Sequence, residues 1–248
     1  MREVMLITGA SRGIGAASAV LAAERGYDVA ISYRRDAEAA ESVAERARTH
    51  GARAVTIRAD VANEDDVERM FATTDAELGP LTVLVNNAGT LDLRMRLDEM
   101  TVERVERTLQ VNVLGMFLCC RAAVRRMSTR HGGAGGRIVN VSSVAARIGG
   151  AREYIDYAAS KGAVDTMTVG LANEVADEGI RVNAVRPGLI YTEIHAQGGE
   201  PGRVDRLKAV VPMKRGGDPV EVARAILWLA AEESSYCTGS LVDVSGGR

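Results

Sequence analysis

Thr8-Gly9-Ala10-Ser11-Arg12-Gly13-Ile14-Gly15 separates an apolar run, Val4 to Thr8, from an alanine-rich stretch, Ile14 to Arg25, that stops at Gly26. The short apolar run predicts a buried strand. The alanine-rich stretch predicts a helix with Gly26 as its C-terminal cap. Glycines at the junction let the backbone turn tightly and approach a pyrophosphate. The helix start offers unpaired N–H groups and the positive end of its dipole. A glycine motif has this meaning only between a strand and a helix, which is where this one stands.

The same alternation continues outward to both ends. Strands are predicted over Asp28–Tyr33, Arg53–Ala59, Leu81–Asn86, Arg137–Ser142, Ile180–Arg186 and Ser240–Val244. Helices are predicted over Ala37–His50, Asn63–Leu78, Thr101–Arg130, Glu153–Glu178 and Val220–Ala231, with Asp36 and Asn63 as N-caps. Val/Ile/Leu-rich strands alternating with amphipathic helices imply a doubly wound α/β fold. Its sheet is parallel, of about seven strands, with helices on both faces. No linker or repeat interrupts residues 1–248, so one domain is expected. The segment 193–217 has no clear period and reads as a mobile flap over the substrate.

Composition narrows the function classes. Of 248 residues, 31 are Lys or Arg and 33 are Asp or Glu, a net charge of −2, which offers no field for nucleic acid. Three cysteines (119, 120 and 237) have neither disulfide-framework nor metal-ligand spacing and read as reduced, partly buried thiols. No metal is expected. The chain shows no signal-peptide pattern and no apolar run near 18 residues, so the cytoplasm is expected, with no membrane.

The end of the second strand discriminates between nicotinamide cofactors. An acidic residue there would bond the ribose 2′-hydroxyl of NAD. This chain has Ser32-Tyr33-Arg34-Arg35, and a guanidinium suits a 2′-phosphate. NADP is therefore expected in preference to NAD, with Arg12 joining Arg34.

Tyr157 and Lys161 are four residues apart in a predicted helix and share a face. An ammonium beside a phenol favours the phenolate, so the pair could exchange a proton with an alcohol or ketone oxygen. The chain holds only three lysines and six tyrosines, which makes the spacing selective.

With these motifs together, the sequence resembles the short-chain dehydrogenase/reductase family over essentially its whole length, with a flavour of the oxoacyl-carrier-protein reductases and glucose dehydrogenases. The resemblance implies a carbonyl/alcohol oxidoreductase. It places a catalytic set at Asn112, Ser143, Tyr157 and Lys161, with Tyr157 as general acid/base. Lys161 lowers the phenol's pKa and holds the nicotinamide ribose. Ser143 bonds the substrate oxygen, and Asn112 kinks its helix and keeps a relay water near Lys161. The cofactor is expected against Gly9, Ser11, Arg12, Gly13, Ile14 and Gly15, and against Arg34. Asp60-Val61, Asn87-Ala88-Gly89, Pro187-Gly188, Ile190, Thr192, Tyr157 and Lys161 complete that expectation. Ser143 precedes Tyr157 by 14 residues where the family has 13, which reads as an insertion within 144–156 and leaves Ser142 as the alternative hydroxyl. Tyr154 is a candidate substrate neighbour, and His195 is expected at the surface.

A cofactor-binding sensor without turnover, and an epimerase or dehydratase, are the alternative functions. The resemblance also implies a homotetramer built through helices 101–130 and 153–178 and the segment 236–247. The substrate, a small carbonyl or alcohol, is not specified by these motifs.

Overall fold

A strand covered on both faces must bury nearly every side chain, and the central strands do so; they are mostly apolar, and the buried Asn86 Nδ2 donates to Asn140 Oδ1 at 3.0 Å. In the computed structural model, which describes residues 2–248, seven strands form one parallel sheet: β1 (Val4–Ile7), β2 (Asp28–Tyr33), β3 (Ala54–Arg58), β4 (Leu81–Asn86), β5 (Gly136–Val141), β6 (Ile180–Pro187) and β7 (Leu241–Val244). Their order is β3-β2-β1-β4-β5-β6-β7. Connections leave β1 in one direction and β4 in the other, so a crevice opens beyond the carboxyl ends of these two strands. That is where doubly wound sheets bind ligands.

Side-chain alternation divides the core into two layers. Met5, Ile7, Val29, Ile31 and Val85 meet helices α1 (Gly13–Glu24), α2 (Ala37–Arg48) and α10 (Pro219–Ala230). Leu6, Leu84, Ile138 and Val182 meet α3 (Glu64–Leu78), α5 (Gly115–Met127) and α7 (Ile155–Val175). The alanines of α1 that face the sheet, including Ala19, Ala22 and Ala23, are fully buried and let the helix lie close to the strands.

Asp36 and Asn63 cap their helices as expected, each accepting from the amide three residues on at 3.0 Å. The expected helix over 101–130 is helical but not uniform. It comprises α4 (Val102–Leu109), a π-helical turn over Gln110–Leu114 in which the Gly115 amide bonds the Gln110 carbonyl, and α5, which ends at Met127. One extra residue per turn shifts the apolar phase only locally, so periodicity does not reveal it. The expected helix 153–178 starts later, at Ile155, and its last three residues are a 3-10 turn. The stretch between Ser143 and Tyr157 folds into α6 (Ala145–Ile148) and a turn with left-handed backbone at Gly149, Gly150 and Arg152. Within 193–217 the chain forms α8 (Ile194–Gln197) and α9 (Arg203–Leu207). Among the described residues, no helix is long and apolar enough to cross a membrane.

Candidate active site

The glycine loop is held from β4. Asn87 Nδ2 donates to the carbonyl oxygens of Thr8 and Gly9, both at 2.9 Å. Thr8 Oγ1 accepts from the amides of Asn87 and Ala88, both at 3.0 Å. Gly9 and Gly13 have φ of +62° and +57°, which side chains disfavour. A Cβ on Gly15 would stand 2.5 Å from Asn87 Nδ2 and 2.7 Å from the Gly9 carbonyl oxygen. The cradle therefore admits no side chain there. Helices α2, α3 and α4 are capped by Asp36, Asn63 and Thr101, with acidic residues in their first turns; α1 has neither a side-chain cap nor an acidic first turn. Its first N–H groups and dipole stay available to an anion, and this arrangement fits a dinucleotide pyrophosphate.

At the far end of the crevice, Arg34 and Asp60 meet. Arg34 Nε lies 2.9 Å from Asp60 Oδ2, and the guanidinium is about half exposed. Asp60 is held in turn, since its Oδ1 accepts from the Ala62 amide and its own amide donates to Asp66. Val61 is buried beneath the start of α5, where a Cβ on Gly115 would come within 2.7 Å of Val61 Cγ2.

The chemistry-bearing residues gather on the other side of the loop. One cavity is lined by Arg12, Gly13, Ile14, Asn87, Gly89, Ser143, Tyr157, Lys161, Pro187, Gly188, Ile190 and Thr192, so the structure brings together residues expected from five separate motifs. Gly9, Ser11, Gly15 and Ala88 lie in the loop and its clamp, while Arg34, Asp60 and Val61 stand apart at the ends of β2 and β3.

Lys161 is buried on α7, and its Nζ donates to the Val141 carbonyl at 2.8 Å while standing 5.6 Å from the centre of the Tyr157 ring. Burial pushes its ammonium down to about 8, partly opposed by Asp165. Tyr157 is half-buried at the cavity floor. Desolvation raises its phenol above the ordinary value, and the Ser143 hydroxyl pulls the other way. The proximity of Lys161 thus does not lower the phenol; burial dominates both groups. Ser142 Oγ instead turns into the protein and donates to the Lys161 carbonyl at 3.2 Å. Of the two serines, Ser143 is the one beside the phenol.

Asn112 sits fully buried in the π-helical turn. It accepts from the Thr90 amide at 2.8 Å and donates to the Thr90 carbonyl and to Ser160 Oγ. A Cβ on Gly89 would face Asn112 Oδ1 at 3.4 Å and Lys161 Nζ at 3.7 Å, so the two side chains flank one small space beside Gly89.

Several residues at the site carry no motif. A buried ion pair, Arg104 Nε to Asp156 Oδ2 at 2.9 Å, ties α4 to the residue preceding Tyr157. Tyr154 is buried on the cavity wall, and its hydroxyl donates to the Gly198 carbonyl at 3.3 Å. His195, expected at the surface, is instead buried with Nε2 2.9 Å from the Ile190 carbonyl oxygen. The fold of 190–198 turns it inward, and burial lowers its pKa. Arg203 and Arg248 line the outer cavity. Arg203 pairs with Glu153, 50 positions away, and Arg248 reaches the cavity from the other end of the chain, so only the fold reveals them.

A glycine-cradled crevice joined to a Ser–Tyr–Lys cluster defines a dinucleotide-binding oxidoreductase. Comparison with known proteins agrees. A family model described as enoyl-(acyl carrier protein) reductase matches residues 9–248. The chain is 54% identical over 245 residues to an uncharacterized oxidoreductase, YgfF, of Escherichia coli, covering 99% of both chains. It is 38% identical to glucose 1-dehydrogenase 2 of Bacillus subtilis, covering 99% of this chain and 94% of that one. A solved short-chain type dehydrogenase/reductase from Mycobacterium marinum superposes with a TM-score of 0.92 at 36% identity, covering 99% and 94% of the two chains. The chain belongs to the short-chain dehydrogenase/reductase family.

Proposed function

We propose that the protein is an NADP(H)-dependent oxidoreductase that interconverts a carbonyl and a secondary alcohol, with Tyr157 as general acid/base. The observation that carries this reading is the convergence of Ser143, Tyr157 and Lys161 on one cavity that also contains the glycine loop. When bound, the nicotinamide cofactor supplies the hydride.

The chain's own residues do the rest. The cradle at Gly9, Gly13 and Gly15, clamped by Asn87, takes the pyrophosphate. Arg34, with Arg12, takes the 2′-phosphate; Asp60 holds the guanidinium in place and its neighbour Val61 supports the adenine. A neutral phenol at Tyr157 gives its proton to the carbonyl oxygen, and burial favours that neutral form at pH 7. Ser143 donates to the same oxygen as charge grows on it. Lys161 then stabilises the phenolate by charge, and Asn112 holds the adjoining space through which a proton returns. The segment 193–217 closes over the substrate.

Assembly into a homotetramer is part of the reading. Leu109, Leu114 and Phe117 along α4–α5, with Val169 on α7, are 40–52% exposed and offer apolar area that pairing of these helices between copies would bury.

The test is NADPH and NADH oxidation over a panel of ketones and aldehydes, for the wild type and Tyr157→Phe. The substitution is expected to lower turnover on the order of 10²- to 10⁴-fold, with NADPH fluorescence still reporting binding. Unchanged turnover removes Tyr157 from its role. Binding without turnover by the wild type points to a sensor.

A further inference from the structure

Charges around the outer cavity do not balance. Arg203, 7% exposed, is gripped by Glu153 and by Glu200 at 3.1 Å, and lies 5.0 Å over the Tyr154 ring. Arg94 approaches the same two carboxylates at 3.4 and 3.8 Å, and Arg206 also pairs with Glu200. Three guanidiniums thus share two carboxylates before the cavity's next cation is reached.

That cation is Arg248, half-buried on the wall of the same cavity. Among the described residues its guanidinium has no ion pair and no side-chain hydrogen bond; only its backbone is engaged, by Ser245 and Arg147. Burial and the charge of Arg203 both disfavour its protonated form, and the one carboxylate acting in its favour, Glu153, is already held by Arg203. A partly desolvated guanidinium without a counter-ion is unfavourable unless a ligand supplies the missing charge. Val144, Ile148 and Leu189, which are apolar, line the same cavity as Tyr157 and Arg248.

We propose that the substrate is an anion, with its carbonyl at Tyr157 and Ser143 and a carboxylate or phosphate on an apolar spacer paired with Arg248. Arg203 adds its field and holds the wall. This rests on the oxidoreductase reading above and narrows it to a substrate class. Arg248 is the specificity-determining residue, and its forked donors suit either oxyanion.

The experiment measures kcat/KM of the holoenzyme for straight-chain oxo-carboxylates of increasing length against their methyl esters, with phosphorylated hydroxyketones as a second arm. The preferred arm identifies the oxyanion. The acids are expected to exceed their esters on the order of 10- to 100-fold at the chain length that spans the cavity, and added salt should shrink the ratio. Arg248→Gln should bring the ratio near one and Arg248→Lys should restore part of it. Arg25→Gln, the same charge change on the exposed surface at the end of α1, should not alter it. Calorimetric titration of the NADPH complex with hexanoate reads binding without turnover and should weaken in Arg248→Gln. Esters reduced as well as acids, with hexanoate binding indifferent to Arg248, overturn the anion site while leaving the oxidoreductase intact. Arg248-dependent hexanoate binding without reduction of any carbonyl overturns the oxidoreductase reading and keeps the anion site.

Discussion

Lys161 points its ammonium at the Val141 carbonyl, 2.8 Å away, and holds it over the Tyr157 ring at 5.6 Å from the centroid. The ammonium is therefore anchored by β5 rather than by the phenol. The two groups are each shifted toward neutrality by burial.

That shift carries a stability signature. Lys161 titrates at about 8 in the folded protein against 10.5 ordinarily. Between those values the unfolded chain carries the proton and the folded chain does not, so stability rises with pH across the window. The complete rise is ~3 kcal/mol. Urea midpoints measured from pH 7 to 10.5 should show the wild type gaining on Lys161→Met. Parallel curves would mean that the ammonium is solvated. Carbonyl reduction should also decline above about pH 8 as the charge that supports the phenolate is lost.

Gly15→Ala places a methyl against the Gly9 carbonyl and the Asn87 amide, both backed by the sheet. The loop must shift, and NADPH affinity should fall by at least tenfold. Asn87→Ala frees the Thr8 and Gly9 carbonyls and should weaken cofactor binding in the same direction. Dissociation constants from NADPH fluorescence decide both, and an unchanged value for Gly15→Ala would contradict the cradle.

Arg34→Asp puts a carboxylate where the 2′-phosphate is proposed and beside Asp60, its partner at 2.9 Å. The ratio of kcat/KM for NADPH over NADH should drop by one to two orders of magnitude, since a charge-assisted pair of about 1.5–3 kcal/mol becomes a repulsion. A constant ratio would remove Arg34 from cofactor selection.

Arg104→Met leaves the Asp156 carboxylate buried and unpaired, one residue before Tyr157. The cost expected from chemical denaturation is about 3–5 kcal/mol. The double variant Arg104→Met/Asp156→Leu should recover most of it, because both charges are then absent. A single variant as stable as the wild type would show that the pair does not hold α7 in place.

Much of this architecture was legible because its causes are local. The strand–glycine–helix junction at 8–15, the caps at Asp36 and Asn63, and the apolar runs of β1 and β4 follow from backbone freedom, side-chain reach and burial period. Those properties belong to neighbouring residues, so the chain determined them, and with them the doubly wound sheet. The spacing of Tyr157 and Lys161 likewise placed them on one helix face. Tertiary structure alone decided which serine meets the phenol, because Ser142 and Ser143 differ only in which face of β5 they leave. It alone inserted the π-helical turn that carries Asn112, turned His195 inward, paired Arg104 with Asp156 across 52 positions, and left Arg248 without a carboxylate. Charge pairing and desolvation act through space between residues far apart along the chain, and no sequence period encodes such distances.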